Sequence, residues 1–450
     1  MALLCPLCSY PFPVLRRDRN LFRRTPDFVQ NEGGSWGRNQ AAFICAASDR
    51  PEKPTKLITF LGKGGSGKTT AAVLASQYYA KAGLNTCFVL HSQDLTAEYL
   101  MGCKIGTSPT VCSNNLSAVR LETSKMILEP LDRLKRADNH LNLIQGVLQG
   151  VVGEELGVLP GMDSIFSVME IEKLVGYIGG SYKSSNYSHK HFDVIVYDGI
   201  SNEDTLRMMG VCGGARLYLK YLRNMAEKTD IGRLTAPSVI KLIDESLRLN
   251  GGSIASYKSS TELLSAAEQA LEKASAAFSE PSRFSCYLVM DLKSRISVNS
   301  SLRYWGCVIQ AGAQVSGAFG FRPQSCAVPE EAAKEMFSPL PFAVVPYLPT
   351  ECSIDWEATL NVLNRDAQDL LCGGNGSIQS SIKFDHANKT VTLFMPGFDK
   401  TDIKLYQYRG GAELLVEAGD QRRVIPLPLG VQGKVGGAKF IDRNLVITLR

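Results

Sequence analysis

A glycine-rich octapeptide near the start of the chain has the residue types that hold phosphate groups. It reads Gly62-Lys63-Gly64-Gly65-Ser66-Gly67-Lys68-Thr69 and fits the pattern G-x-x-x-x-G-K-[ST]. Glycines let successive backbone N–H groups converge on phosphate oxygens, and the positive end of a following helix adds to the attraction. We predict that Lys68 reaches the β- and γ-phosphates of a nucleotide and that the Thr69 hydroxyl ligates Mg²⁺.

The flanking sequence supplies the elements that such a loop requires. The apolar run Lys56–Leu61 predicts a buried strand before the loop, and 68–82 has the spacing of a helix that stops at Gly83. A second apolar run, 85–90, predicts another strand. Strand, helix and strand in this order form a βαβ unit with a parallel sheet. This context favours nucleotide binding over the alternative, a glycine-rich turn without nucleotide.

Two acidic residues follow predicted strands, where a doubly wound sheet holds its ligand. Asp94 lies beyond the strand at 85–90, and Asp198 ends the apolar run 192–197. Phosphoryl transfer needs a group that supports the metal and a group that orients the attacking water, because positioning and charge neutralisation supply most of the catalysis. We assign Asp198 to the Mg²⁺ shell, through a water, and Asp94 to the attacking water. The alternative for each residue is that it caps the next helix.

Lys63 gives the motif the form K-G-G-x-G-K-T-T, which ends at Thr70. This form resembles the deviant Walker A class of dimeric ATPases. The resemblance implies a homodimer in which Lys63 reaches across a two-fold interface to the nucleotide of the partner subunit. Lys63 would then act in catalysis together with Asp94. The alternative is a solvated loop lysine.

Other segments narrow the resemblance, over about residues 55–372, to the family of arsenite-pump ATPases and tail-anchored-protein targeting ATPases. They are Ser92-Gln93-Asp94, Leu159-Pro160-Gly161-Met162-Asp163, Asp198 through Thr205-Leu206-Arg207, and Val345-Pro346-Tyr347-Leu348-Pro349. The family's first switch reads S-T-D-P-A-H, so Asp94 matches its hydrolytic aspartate and Leu95 replaces the proline. The second switch reads D-T-A-P-T-G-H-T-L-R, and Asp204 stands where the family has histidine. We therefore expect loop movement on hydrolysis to differ.

The resemblance also bears on cofactors. Pro346, Tyr347, Leu348 and Pro349 match the loop that lines adenine in the family, which implies ATP. Family members with zinc at the dimer interface use C-x-x-C, and here that pattern occurs only as Cys5 and Cys8 in the first 48 residues, so no zinc is predicted. Five further cysteines match no metalloid-binding pattern, and we interpret them as core or surface cysteines. They are Cys103, Cys112, Cys212, Cys286 and Cys307.

The remaining pattern up to residue 372 completes an α/β domain. Apolar runs predict strands at 284–290, 315–320 and 343–345, with a helix at 296–311. Two helical insertions, at about 100–185 and 207–280, form a helical subdomain, with helices at 131–152 and 164–178. The expected architecture is a doubly wound, mostly parallel sheet of the P-loop NTPase type with helical insertions.

A separate small β domain is predicted over 378–450. The glycine-rich breaker 372–377 precedes it, and the pattern beyond changes to alternation of apolar and polar residues. Its sequence from Met395 onward resembles the α-crystallin domain of small heat-shock proteins. The resemblance implies a β sandwich that binds exposed apolar segments or docks against the ATPase domain.

The positive charge of the chain is concentrated at its start. Residues 1–48 contain six arginines, no lysine and three acidic residues, and so carry +3 of the net charge of +5. This composition predicts a transit peptide and a plastid (stromal) location, with a mitochondrial or cytosolic location as the alternative. The rest of the chain has no basic stripe, so nucleic-acid binding is not expected. Nor does the sequence contain the ~18 consecutive apolar residues of a membrane-spanning helix.

The leading hypothesis is an ATP-hydrolysing homodimer whose helical insertions bind hydrophobic client segments or a membrane receptor. The apolar stripe that would bind them is more often core; its residues are Leu148, Val151, Val152, Leu156, Ile165, Phe166, Val168 and Met169. Two alternatives remain open: the ATPase subunit of an anion or metalloid pump, and a scaffold that nucleotide locks without hydrolysis. An iron–sulfur ATPase would need paired cysteine ligands near the switches, and none is evident.

Overall fold

The computed structural model describes much of the chain beyond residue 53. The described residues are 54–122, 162–175, 192–211, 213, 269, 272–322, 328–348, 354–373 and 380–450. The chain divides into two units, Met1–Glu52 and Lys53–Arg450. The predicted transit peptide, the helix at 131–152, Pro349 and most of both insertions lie outside the described residues.

A central sheet organises the second unit. Its described strands have the order β3-β4-β2-β5-β1-β6-β7-β8. They are β1 (Lys56–Leu61), β2 (Thr86–Leu90), β3 (Thr110–Ser113), β4 (Leu116–Arg120), β5 (Val194–Asp198), β6 (Phe284–Asp291), β7 (Val315–Arg322) and β8 (Phe342–Pro346). Every pairing is parallel except that of β3 with β4.

Helices cover both faces of this sheet. The described helices are α1 (Lys68–Lys81), α2 (Thr96–Met101), α3 (Met162–Val175), α4 (Arg295–Gln310), α5 (Glu330–Phe337), α6 (Trp356–Asn361) and α7 (Arg365–Leu371). Residues 202–211 and 272–279 are also helical. In β1, Leu57 and Leu61 belong to one buried apolar cluster, while Ile58 and Phe60 belong to another. Burial on both faces accounts for the continuous apolar runs, and the predicted doubly wound α/β fold is confirmed.

The prediction of a helical insertion at about 100–185 was wrong for residues 110–120. There β3 and β4 extend the sheet beyond β2, and β4 is fully buried. Its sequence, Leu-Ser-Ala-Val-Arg, does not predict a buried strand, because a charged residue such as Arg120 is seldom buried. The Arg120 guanidinium is nevertheless satisfied, because it donates to Glu98 Oε1 at 2.6 Å and to the Ser92 carbonyl. An arginine whose charge is paired can thus end a strand that is buried in the core.

The cysteine interpretation needs one correction. Cys103 and Cys112 form a disulfide that closes the segment between α2 and β3, which spacing alone did not indicate. Cys286 and Cys307 are free and buried, as core cysteines should be. Cys212 lies outside the described residues.

Of the residues in the predicted apolar stripe, the structure describes the side chain of Val168. Val168 lies in α3, is half-buried and packs against the apolar cluster that contains Leu57 and Leu61. The other stripe residues lie outside the described side chains. Among the helices that the structure describes, none is long and apolar enough to cross a membrane.

The C-terminal segment forms two antiparallel sheets, with strand orders β14-β15-β10-β9 and β11-β12-β13. Their strands are β9 (Ile382–Asp385), β10 (Thr390–Phe394), β11 (Lys404–Tyr408), β12 (Glu413–Ala418), β13 (Gln421–Pro426), β14 (Val435–Ile441) and β15 (Asn444–Leu449). Alternate residues point inward: Val391, Leu393, Leu445 and Ile447 are buried. The expected small β domain is present, and its core matches the period-two pattern.

This β domain docks on α4 at close range. A Cβ on Gly306 would collide with the Pro396 carbonyl and the Phe398 ring, and a Cβ on Gly397 would lie 2.6 Å from the backbone of Arg303. The Arg303 guanidinium lies 3.9 Å from the centre of the Phe398 ring. The main apolar cluster continues from the central sheet into the β domain without a break. Backbone contact at two glycines fixes the position of the domain.

We therefore predict that Gly306→Val loosens this docking. The added side chain overpacks the contact, so the free energy of unfolding should fall by about 2 kcal/mol or more. Denaturant titration followed by tryptophan fluorescence measures it, since Trp305 lies against Phe394 at this contact. The control is Gly437→Ala, where the new Cβ meets nothing within 4 Å. Equal stability of the two variants would contradict the close docking.

Candidate functional site

The loop between β1 and α1 lies at the carboxyl edge of the sheet. Gly65 and Gly67 have φ angles of 80° and 92°, which glycine adopts without strain. Gly62 is required for a different reason, because a Cβ there would collide with the Val289 carbonyl of β6. The loop therefore uses its glycines as the motif predicts, to bend and to approach a neighbouring strand.

Lys68 and Thr69 begin α1 and face the end of β5. Lys68 Nζ donates to the Gly62 carbonyl at 3.0 Å. Burial lowers the pKa of Lys68, while the charges of Asp198 and Glu203 raise it. The Thr69 hydroxyl lies near the Asp198 carboxyl group, close enough to lower its pKa. The two residues predicted to hold phosphate and metal thus meet the predicted metal-supporting acid.

Asp198 ends β5 and is 3% exposed. Burial raises its pKa to about 6, against the opposing effects of the Thr69 hydroxyl and the Lys68 charge. Among the described residues its Oδ2 has no hydrogen-bond partner, and the same holds for the buried hydroxyl of Ser66. A buried carboxylate with a free oxygen beside a threonine hydroxyl is a donor set that suits Mg²⁺, which takes few protein ligands together with phosphate oxygens. These residues therefore fit a Mg²⁺–nucleotide complex.

Asp94 lies near Asp198, close enough for its charge to raise the pKa of that residue. Its own carboxylate is exposed and accepts hydrogen bonds from the backbone N–H (3.1 Å) and the hydroxyl (2.9 Å) of Thr96. Asp94 thus stabilises the start of α2, the alternative considered for it from the sequence. Its role in orienting water stays a prediction.

Lys63 and Thr70 flank the central part of the motif. Lys63 is exposed, and its carbonyl accepts a hydrogen bond from the Ser66 N–H at 2.9 Å. Exposure is what a residue that reaches a partner subunit requires. Thr70 is half-buried in the first turn of α1, and Gly64 is exposed at the loop tip. The action of Lys63 across an interface stays a prediction.

The predicted adenine loop lies beside the phosphate loop. The Tyr347 ring stacks on Phe321 with centroids 6.2 Å apart, and a Cβ on Gly67 would lie 2.9 Å from the Phe321 ring. Phe321 therefore bridges the two loops. Pro346 is exposed and Leu348 half-buried at the end of β8, while Pro349 lies outside the described residues. Sequence reasoning missed Phe321, because its run 315–322 has only the pattern of an ordinary buried strand.

Asn202 is a second residue that the sequence did not single out. It lies in the segment after Asp198, and both atoms of its amide bond the backbone of Gly62. Next to it, Ser201 and Asp204 cap the helix over 202–211, since Ser201 Oγ donates to Asp204 Oδ2 at 2.8 Å and accepts from its N–H at 3.0 Å. Asp204, where the resembling family has histidine, thus has a defined capping contact.

Together, the fold and this site define a P-loop ATPase. Residues 55–315 match the family model of anion-transporting ATPases, and residues 386–449 match that of the HSP20-like domain found in ArsA. The chain belongs to the anion-transporting ATPase family, and its C-terminal sheets are the HSP20-like domain.

Three relatives illustrate the similarity. Two are putative arsenical pump-driving ATPases: that of Chlorobaculum tepidum is 22% identical over 411 residues (87% of this chain, 95% of the relative), and that of Prosthecochloris vibrioformis 21% over 414 residues (87% and 95%). The ATPase ASNA1 homolog 1 of Paramecium tetraurelia is 29% identical over 164 residues, or 34% of this chain and 43% of the relative.

The two contacts of Asp94 lead to a test of its role. Asp94→Asn should lower ATP turnover on the order of 10²-fold while ATP still binds, as expected when a water-orienting group is lost. Thr96→Ala removes one bond to the same carboxylate, and its turnover should stay within about threefold of wild type. Steady-state phosphate release and nucleotide binding measure both. Near-normal turnover of Asp94→Asn would leave this residue a helix cap.

Proposed function

We propose that this ATPase works as a homodimeric targeting factor or chaperone that binds hydrophobic segments of membrane proteins in a nucleotide-dependent way. The observation that carries the ATP-dependent part is the meeting of Lys68, Thr69 and the buried Asp198 carboxylate at one edge of the sheet. ATP with Mg²⁺ is the ligand that these residues and the neighbouring Tyr347 suit.

The path of the chain supports a link between the nucleotide and the insertions. β4 lies within the first insertion and runs parallel to β2, so the chain leaves β4 at the edge that holds Asp94. The second insertion starts within the helix over 202–211, which begins after Asp198. A nucleotide that shifts the Asp94 edge or the segment after Asp198 would therefore move the chain where an insertion joins the sheet. Such a shift requires ATP to favour one arrangement by its differential affinity.

Exposed side chains at the same edge support a homodimer. Leu95, next to Asp94, is 65% exposed, and Ile200, two residues after Asp198, is 52% exposed. Large apolar side chains beside a charged site favour an interface, since they are costly to leave in water. A two-fold contact at this edge would also place Lys63 near the partner's nucleotide.

A pump ATPase is the second candidate function. The names of the two bacterial relatives, which match most of this chain, favour it. Of the described cysteines, Cys103 and Cys112 are bonded to each other, Cys87, Cys286 and Cys307 are buried, and Cys372 is free and exposed. A single exposed thiol does not form the clustered set that would hold a metalloid, and this supports the first candidate. Stimulation of ATP turnover by arsenite or antimonite would reverse the order of the two candidates.

We also propose a plastid location on the composition of the first 48 residues. Six arginines against three acidic residues, with no lysine, are typical of an organellar transit peptide. A fluorescent fusion of the full chain would test this location, with residues 1–48 removed as the control.

The proposed two-fold arrangement predicts complementation between subunits. Lys63→Ala and Asp94→Asn homodimers should each be inactive, because every site then lacks one of the two residues. Mixed dimers should recover part of the activity, since one of their two sites combines an intact Asp94 with an intact Lys63 from the other chain. Turnover is measured on tagged, purified mixed dimers. No recovery in such dimers would make Lys63 a residue of its own subunit's site.

Client binding is tested with the full chain and a peptide that contains one apolar segment of ~20 residues. Capture should differ at least about fivefold between ATP and ADP, the lower range of typical coupling between sites. Lys68→Ala should abolish the difference, because it prevents the nucleotide from being sensed. A peptide of equal length with charged residues in the segment is the control. Equal, negligible capture in all nucleotide states, with ATP turnover intact, would contradict the proposal.

A further inference from the structure

The peptide group of Gly62 is held from both sides by one side chain. The Gly62 N–H donates to Asn202 Oδ1 at 3.1 Å, and Asn202 Nδ2 donates to the Gly62 carbonyl at 2.8 Å. Asn202 is 6% exposed, so both bonds are shielded from water. These bonds connect the first glycine of the phosphate loop to the segment that follows Asp198. Gly62 and Asn202 are 140 residues apart in the chain.

The Gly62 carbonyl has a second donor, the Lys68 ammonium group at 3.0 Å. A lysine that turns toward a phosphate must give up this bond. A buried carbonyl that loses its last partner costs more than the bond itself is worth, because the group stays out of water. Asn202 keeps the carbonyl satisfied, and Lys68 is thereby free to engage the nucleotide.

Asn202 is itself held in place. It lies in the first turn of the helix over 202–211, whose start is fixed by the Ser201–Asp204 capping contacts. Thr205 adds a bond from its hydroxyl to the Ser201 carbonyl at 2.8 Å. The Asn202 side chain also lies near the Tyr304 hydroxyl of α4, close enough to lower its pKa against the effect of burial. Because its own position is fixed by these neighbours, the Asn202 side chain can hold the Gly62 backbone in one place.

We propose that Asn202 is a positioning residue for ATP hydrolysis. By holding Gly62, it fixes the phosphate loop, which carries Thr69, relative to the segment that begins at Asp198. These two residues form the two sides of the Mg²⁺ site described above. Asn202 touches neither nucleotide nor metal and acts through the Gly62 backbone. The proposal depends on the ATPase activity alone and is independent of client binding.

The test compares three variants of the full chain by ATP turnover, nucleotide affinity and thermal unfolding. Asn202→Ala removes both bonds, and we expect kcat to fall at least about tenfold, with KM for ATP within about threefold of wild type. A tenfold change in rate corresponds to ~1.4 kcal/mol in the barrier. Asn202→Asp has nearly the same shape and keeps the acceptor for the Gly62 N–H, but it sets an oxygen against the Gly62 carbonyl. Its kcat should fall at least as far.

Asn364→Ala is the matched control. Asn364 also bonds the backbone with both amide atoms, to the Val344 carbonyl at 2.7 Å and from the Ala367 N–H at 2.9 Å. Asn364 is exposed and caps α7, so its replacement should cost about 1 kcal/mol of stability and keep kcat within about twofold of wild type. The half-saturating Mg²⁺ concentration should rise at least about threefold for Asn202→Ala and stay unchanged for the control.

A fall in kcat with nearly constant KM, confined to the Asn202 variants, supports the proposal. A kcat for folded Asn202→Ala within threefold of wild type, or an equal loss in the control, overturns it. If Asn202→Ala does not fold, the isosteric Asn202→Asp decides by the same criteria. Failure of client capture would leave this result untouched, because turnover is measured without client.

Discussion

The parallel pairing of β5 between β2 and β1 is the constraint on which the candidate site depends. Leu90 pairs with Asp198, and Thr59 pairs with Tyr197, so the three strands end at the same level. The phosphate loop, the Asp94 segment and the Asp198 segment all leave from these ends. A shift of β5 by one residue would turn the Asp198 side chain to the opposite face of the sheet, away from Lys68 and Thr69.

Charge and burial work against each other at this edge. Burial raises the pKa of Asp198 and lowers that of Lys68, so it favours the neutral form of each group. A divalent cation beside Asp198 and phosphates beside Lys68 supply charges of the opposite sign and favour the ionised forms. The same nucleotide complex thus satisfies both groups. A buried acid beside a half-buried lysine therefore suits a metal–phosphate pair better than either component alone.

The sequence was sufficient for those features that depend on neighbouring residues. The loop at 62–69, its flanking strand and helix, and the acidic end of β5 follow local patterns of apolar residues and glycine, and all are present. The buried strand β4 was not predicted because Arg120 looks like a surface residue in the sequence. Its partners, which are Glu98 and Ser92, lie more than 20 residues away. The Asn202–Gly62 bonds and the Phe321 bridge were missed for the same reason. The Cys103–Cys112 disulfide joins residues only nine apart, but the pairing depends on how α2 and β3 are placed. Each joins residues that only the folded chain brings together, and no spacing rule connects them.

The contact of the HSP20-like domain with α4 has a consequence for how such chains diversify. Gly306 has no room for a side chain as long as Pro396 and Phe398 lie against it. A chain that lost residues 380–450 would uncover Trp305 and gain freedom at position 306, whereas a chain that keeps them must keep a glycine there. The domain and the helix therefore form one structural unit in this chain, and a foreign HSP20-like domain would fit only on an α4 with a surface that matches it.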